Sequence, residues 1–320
     1  MPGHPPNLAF GIGDVRAAAG RLGHRVHRTP VLSLDRLGLL VKCESLQGIG
    51  AFKIRGATNA ILVLRPAGVV TSSSGNHGMA VAAAAAAARI GAVVVMPDNA
   101  TRYKREAVAR LGAEVLTSPP ETEARNAACA ALAAERGLTP IPAYDHPLVI
   151  AGQGTCGLEI AEQVPEAATV VVPLGGGGLL SGIAVALRDA MGARVRIVGV
   201  EPADGDDTVR SLRAGRRVAI PAPRTICDGA RNTIPGELTF PIVDALVDDL
   251  LAVTDDEVVE AMRVLAAAGL VVEPTGALAV AGALRMPAAA RRGPIVCVVS
   301  GRNIAPEEYA RLLLGTGGPA

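Results

Sequence analysis

The chain has no tryptophan, three tyrosines and three phenylalanines, so aromatic residues make up only 2% of its 320 residues. So few rings give no stacking platform for single-stranded nucleic acid or sugar. Charge of one sign is missing as well: 31 basic against 30 acidic residues leave a net charge of +1. Neither nucleic acid nor an anionic membrane is therefore expected as a partner. The five cysteines, Cys43, Cys129, Cys156, Cys227 and Cys297, stand singly, with no CxxC pair. That excludes a zinc ribbon or a disulfide scaffold and suits a reducing, cytoplasmic location. The start, MPGHPPNLAF, lacks a basic segment followed by an apolar one, so no secretory leader is expected. The one long apolar stretch, Met79 to Met96, is mostly alanine, is interrupted by Arg89 and is divided by Gly91. It reads as an Ala-rich helix followed by a Val-rich strand, not as a membrane span. Ligand recognition is left to backbone, hydroxyl, amide and charged groups.

Lysine is also scarce. Of the 31 basic residues only Lys42, Lys53 and Lys104 are lysines. In a chain that uses arginine wherever a cation suffices, the remaining lysines are enriched at places that need an amine. A guanidinium neither deprotonates nor forms a Schiff base.

What is present is core and alternation. Hydrophobic residues make up 50% of the chain, and the length predicts one large or two intimate domains. From residue 68 onward, Val/Ile-rich runs (GVVTS, AVVVMP, AEVLTS, TVVVPL, VRIVGVE, LLAVT, PIVCVVS) alternate with Ala/Leu-rich helical stretches. The pattern predicts an α/β fold with a mostly parallel sheet. Gly and Pro gather at the strand-to-helix turns SSSGNHG, PLGGGG, EPADGDD, VEPTG and VVSGRN. Ligands of open α/β sheets sit at the carboxyl ends of strands, so these five turns are the expected site walls.

PLGGGGLLSG follows a strand and opens a helix, and its four glycines let N–H groups converge on an anion such as phosphate. The other reading is a tight turn. The spacing lacks the last glycine of GxGxxG, and the absence of GK[ST] excludes a P-loop NTPase. VRIVGV ends in Glu201, placed like a ribose-binding acid, so an NAD-dependent oxidoreductase is a rival on this half of the chain. KCESLQGIGAFKIRG sets Lys53 between Phe52 and Ile54 just after a turn. A lysine desolvated there has a lowered pKa and serves as nucleophile or base; the alternative is a surface lysine at a helix start. SSSGNHG offers hydroxyls, an amide and exposed backbone to a carboxylate. Alone, His77 reads equally as a hydrogen bonder at a helix terminus.

Taken in order, KCESLQ…GAFKIRGA, SSGNHG, KREAVARLGAEV, IAGQGTCGLEI, PLGGGGLLSGIA, VEP, TICDGA, VEPTGA and VVSGRN resemble the fold-type II pyridoxal-phosphate enzymes. Within them the chain is most similar to the serine/threonine dehydratase and serine racemase family. The resemblance implies a two-domain, tryptophan synthase β-like architecture. Its large cofactor domain would be residues 1–67 and 145–320, and its small mobile substrate domain residues 68–144. It implies pyridoxal 5'-phosphate on Lys53, with Gly175, Gly176, Gly177, Gly178 and Leu179 around the phosphate. Asn76 would meet the ring hydroxyl, Ser300 the ring nitrogen, and Phe52 the ring itself. A neutral Ser300 beside that nitrogen favours β-elimination over transamination. The substrate, a small amino acid, would be met by Ser73, Ser74, Asn76, His77 and Arg125. Arg125 could pair with a second substrate carboxylate or simply lie on a solvated helix face.

The reaction implied is dehydration and deamination of L-threonine, L-serine or 3-hydroxyaspartate to a keto acid and ammonia. In racemase members a serine matching Ser74 serves the opposite face, so a racemase is the alternative reading; intact Lys53 and Ser300 argue against a non-catalytic relative. Glu201, the backbone of Gly205, and Asp207 match positions that hold Mg²⁺, Mn²⁺ or Ca²⁺ in many relatives; otherwise the acids cap a helix. A homodimer is expected. So is the absence of a C-terminal regulatory domain, since the chain stops soon after SGRN. Three residues depart from the family pattern: Met79 in place of Gln, Arg302 within SGRN, and Cys227 before Asp228.

Overall fold

Buried β-branched runs supply ten strands among residues 10–291 and 293–315, the residues described by this computed structural model. The start of the chain read for a leader lies, through residue 9, outside them. The strands are β1 Val31–Leu34, β2 Leu39–Lys42, β3 Gly68–Ser72, β4 Gly91–Pro97, β5 Glu114–Ser118, β6 Thr139–Pro140, β7 Thr169–Pro173, β8 Arg196–Pro202, β9 Asp249–Val253 and β10 Ile295–Val298. The helices are α1 Ile12–Leu22, α2 Lys53–Leu64, α3 Asn76–Ala88, α4 Arg102–Arg110, α5 Thr122–Arg136, α6 Pro147–Gln163, α7 Gly178–Met191, α8 Asp207–Ala214, α9 Thr239–Leu246, α10 Asp255–Ala267, α11 Pro274–Arg285 and α12 Pro306–Leu314.

Two open sheets result, the α/β two-domain architecture expected. The larger runs β1-β2-β10-β7-β8-β9 and the smaller β5-β4-β3-β6. Every pairing is parallel except β1 with β2, a hairpin that adds an antiparallel edge to the larger sheet. All five residues of β7 are buried, as a strand with helices on both faces requires. The Ala-rich stretch is α3, buried on nearly all sides. It ends at Arg89, a left-handed cap at φ +59°, where the chain turns into β4. No described helix is long and apolar enough to cross a membrane.

A buried ion network fixes α2, whose first residue is Lys53. The Arg55 guanidinium donates to both Glu44 oxygens at 2.7 Å and to Glu159 at 2.6 Å, and Lys42 donates to Glu159 at 2.5 Å. Arg55, Lys42 and Glu44 have no exposed surface. Removing one partner would strand a charge in the interior, so these elements are held in a single arrangement.

Candidate active site

Because β2, β10, β7 and β8 run parallel, their carboxyl ends lie on one edge of the larger sheet. The segments that follow carry Lys53, Ser300 and the glycine run, and Glu201 stands at the end of β8. The first turn needs Gly50, at φ +76°, where a Cβ would lie 2.5 Å from Asn303 Oδ1. It then docks on the β10 turn. Phe52 N donates to the Ser300 carbonyl at 3.1 Å, Ala51 bridges Gly301, and Arg302 N donates to the Gly50 carbonyl at 2.9 Å. Lys53 and Ser300 are thereby brought together although 247 residues separate them.

The Lys53 amine donates to the Ala143 carbonyl at 2.7 Å and stands 5.1 Å from the centre of the Phe52 ring. Burial pushes its pKa down to about 8. An amine so placed is partly unprotonated near neutral pH and able to attack a carbonyl or take a proton.

Gly175 to Gly178 lead into α7, whose first N–H groups have no partner within the helix. Side chains are excluded here by neighbours. A Cβ on Gly175 would lie 2.8 Å from the Gly229 carbonyl, and one on Gly176 would clash with the Tyr144 ring at 2.3 Å. Thr239 Oγ1 donates to the Gly176 carbonyl at 2.8 Å and holds the loop shape. The Leu179 side chain is core, so only its backbone can face a ligand.

The smaller sheet delivers SSSGNHG from the end of β3. Ser73 Oγ accepts from the N–H groups of Gly75 at 3.1 Å and Gly78 at 2.8 Å, so it caps the start of α3. Ser74 is partly exposed beside it. Asn76 is held at both ends, its Nδ2 donating to Glu273 at 2.5 Å and its Oδ1 accepting from Asn303 at 2.7 Å. His77 Nε2 donates to the Ile141 carbonyl at 2.8 Å. Burial, then the charge of Lys53, pushes its pKa down to about 3. It is a neutral group and brings no positive charge to a carboxylate. Arg125 is turned onto the start of its own helix, donating to the Pro120 carbonyl and to Thr122 Oγ1 at 3.2 Å, with Nε buried and unpartnered.

On the far side of the glycine run, Glu201 accepts from Thr208 N at 3.2 Å and Val209 N at 3.0 Å, at the start of α8. Burial and then Asp207 push Glu201 up to about 8, and burial and Asp206 push Asp207 up to about 7. Asp207 Oδ2 is buried without a partner. Among the described residues no three His, Cys, Asp or Glu side chains gather to hold a metal. Any ion here would need backbone oxygen. The Ala230 carbonyl comes within 3.0 Å of a Cβ built on Gly205.

Sequence reasoning passed over several residues that complete the site. Tyr144 lies against Gly176 and Gly178, with its hydroxyl bonded to Asn232. Lys104 of α4 is ion-paired to Asp228, and Glu273 and Asn303 grip Asn76. The scarcity of lysine had marked Lys104, and VEPTG had been read as a site wall, but neither signal names a partner.

A family profile described as pyridoxal-phosphate dependent enzyme matches residues 23–301. An L-threo-3-hydroxyaspartate ammonia-lyase of Saccharomyces cerevisiae is 44% identical over 314 residues, 95% of this chain and 96% of that protein. A serine racemase of Schizosaccharomyces pombe is 40% identical over 94% of this chain and 96% of its own length. The solved structure of maize serine racemase superposes with a TM-score of 0.90 at 39% identity, covering 96% of this chain and 98% of that one.

Proposed function

The chain belongs to the pyridoxal-phosphate dependent enzymes, and from that premise we propose that it eliminates water from a β-hydroxy amino acid to give a 2-oxo acid and ammonia. Its general chemistry is elimination or racemisation at an amino acid with a β-hydroxyl or other β-substituent. The finer reading names 3-hydroxyaspartate, L-serine and L-threonine as substrates, 3-hydroxyaspartate first because a relative so named shares 44% of its residues. The observation that carries it is the buried Lys53 amine, its pKa pushed down to about 8, on a turn whose Phe52 N–H is bonded to the Ser300 carbonyl, in a chain that also sets four glycines at the start of α7.

These residues fit the cofactor. Lys53 offers the amine for its aldehyde, and the glycine run with the α7 amides offers a place for its phosphate. Ser300, 3% exposed, offers a neutral hydroxyl for its ring nitrogen. When bound, pyridoxal phosphate supplies the electron sink that acidifies the α C–H bond of an amino acid. Lys53 Nζ is the base that takes this α-proton from one face. Ser74 Oγ is assigned the other face. Asn76 and the amides of the SSSGNHG turn orient the substrate carboxylate, a task for which neutral His77 offers no charge. In this reading residues 68–144 move as a body toward Lys53 and exclude water from the reacting carbon.

Racemisation is the second reading, favoured by Ser74 and by the likeness to serine racemases. A panel of L-β-hydroxy amino acids, assayed together for keto acid and for the opposite enantiomer, tests both. Keto acid from at least one of them is the expected result; none from any would overturn the lyase reading. Ser74→Ala is expected to abolish enantiomer formation, while keto acid formation falls less, since Lys53 still serves the L-face. Racemisation that survives Ser74→Ala, or none in the unaltered protein, removes the two-base racemase reading.

A further inference from the structure

Glu273 precedes α11 in the VEPTG turn, is 2% exposed, and has no part in the steps assigned above. Its Oε1 accepts from Asn76 Nδ2 at 2.5 Å, reaching from the larger sheet's turns to the smaller sheet's. The other end of that amide accepts from Asn303 Nδ2 at 2.7 Å, and Asn303 Nδ2 also donates to the Ile49 carbonyl at 2.9 Å. With an acceptor at one end and a donor at the other, the Asn76 amide has one orientation. Glu273 is itself anchored to the Ser300 turn: its N–H donates to the Gly301 carbonyl at 3.2 Å. Its carboxylate fills the space a side chain on residue 301 would need. The second oxygen, Oε2, is buried without a partner.

We propose that Glu273 is a positioning residue: acting through Asn76, it sets the SSSGNHG turn in register with the Ser300 turn, so that Lys53 and Ser74 address the substrate from fixed places. The proposal rests on the pyridoxal-phosphate reading given above. A carboxylate accepting from an amide forms a charge-assisted bond about twice as strong as a neutral pair, and here no water competes for it. Burial pushes the Glu273 pKa up to about 7 although the nearby Lys104, itself paired to Asp228, favours its charge, so the bond is charge-assisted above that pH. Without the carboxylate the nitrogen end of Asn76 loses this acceptor and only the Asn303 bond still holds the amide.

A double-mutant cycle on the holoenzyme decides, using Glu273→Ala, Asn76→Ala and the double variant, read by the near-visible cofactor band and by kcat and KM. Each single variant should move the band in the same direction and lower kcat about tenfold or more, with a smaller change in KM; the double variant should be no worse than Asn76→Ala alone. Glu273→Gln, whose amide oxygen still accepts from Asn76, should recover most of the band position. Losses that multiply in the double variant, or a Glu273→Ala band identical to the unaltered protein's, overturn the proposal. Should Glu273→Ala not fold, the cycle is run with Glu273→Met, which keeps the stem and removes both oxygens, where the same non-additivity supports the proposal and multiplying losses overturn it. The band is read without substrate. Absence of turnover on every β-hydroxy amino acid would therefore count against the reaction while the cycle still decides the role of Glu273.

Discussion

Lys53→Ala is expected to lose the near-visible cofactor band and to lower turnover by at least about a thousandfold, the combined loss of covalent anchor and base, while the protein still folds. Few other amines are available to replace it: Lys42 is buried in the ion network with Glu159, and Lys104 is paired to Asp228. Borohydride reduction followed by peptide mapping should place the cofactor on Lys53 in the unaltered protein and nowhere in the variant. A variant that retains reducible cofactor on another residue would sink the assignment.

The same lysine gives a pH dependence with a definite sign. Burial lowers its pKa in the folded protein from the ordinary 10.5 to about 8. The unfolded chain therefore binds this proton more tightly between those values, and cofactor-free protein is penalised more as pH falls from 10.5 to 8, the full penalty remaining below that. Replacing Lys53 by methionine, which keeps the stem and removes the charge, should raise the melting temperature of cofactor-free protein at pH 7. The advantage should shrink as the pH is raised from about 8 toward 10.5. A difference independent of pH would mean that the amine is not desolvated, and the activated-lysine reading would fail.

The second large effect concerns Glu201 and Asp207. We propose that they, with backbone oxygen at Gly205, hold Mg²⁺, Mn²⁺ or Ca²⁺. The support is a pair of buried acids, one with an oxygen left unpartnered. Chelation should lower thermal stability and activity together and any of the three ions should restore both, because a ligand bound only by the folded chain stabilises it; an ion at a hundred times its Kd contributes about 2.7 kcal/mol. Without the ion both acids have folded pKa values raised to about 8 and about 7. The folded state then binds more protons than the unfolded, so stability falls as the pH rises from the ordinary carboxylate range, 3.8 to 4.5, and the loss is complete above about 7 to 8. An ion displaces those protons, so its stabilising effect should grow from pH 6 to pH 8, as differential scanning calorimetry would show. Protein that contains no metal as purified and answers to none of the three ions leaves Glu201 as the acceptor for the first amides of α8.

Much of this molecule is local and therefore legible in one dimension. A strand buried on both faces needs an unbroken apolar run, as in TVVVP, and a helix needs its own period and ends. Hence β3 through β5 and β7 through β10 follow from composition and turn residues. The glycine run, Lys53 among apolar neighbours, and SSSGNHG are legible for the same reason: each is a pattern of residues adjacent in the chain. What the tertiary structure decided is pairing at long range. The β1–β2 hairpin closes the larger sheet as an antiparallel edge, a placement its short strands do not declare. Tyr144 and Asn232 reach the glycine run from elsewhere in the chain, and Glu273 meets Asn76 across a separation of 197 residues. Arg125, on an Ala-rich helix that permits either a site-facing or a solvated cation, is turned in this structure to the Pro120 carbonyl and the Thr122 hydroxyl. A buried polar group is satisfied by whatever partner the packing brings within about 3 Å, and sequence records only the group.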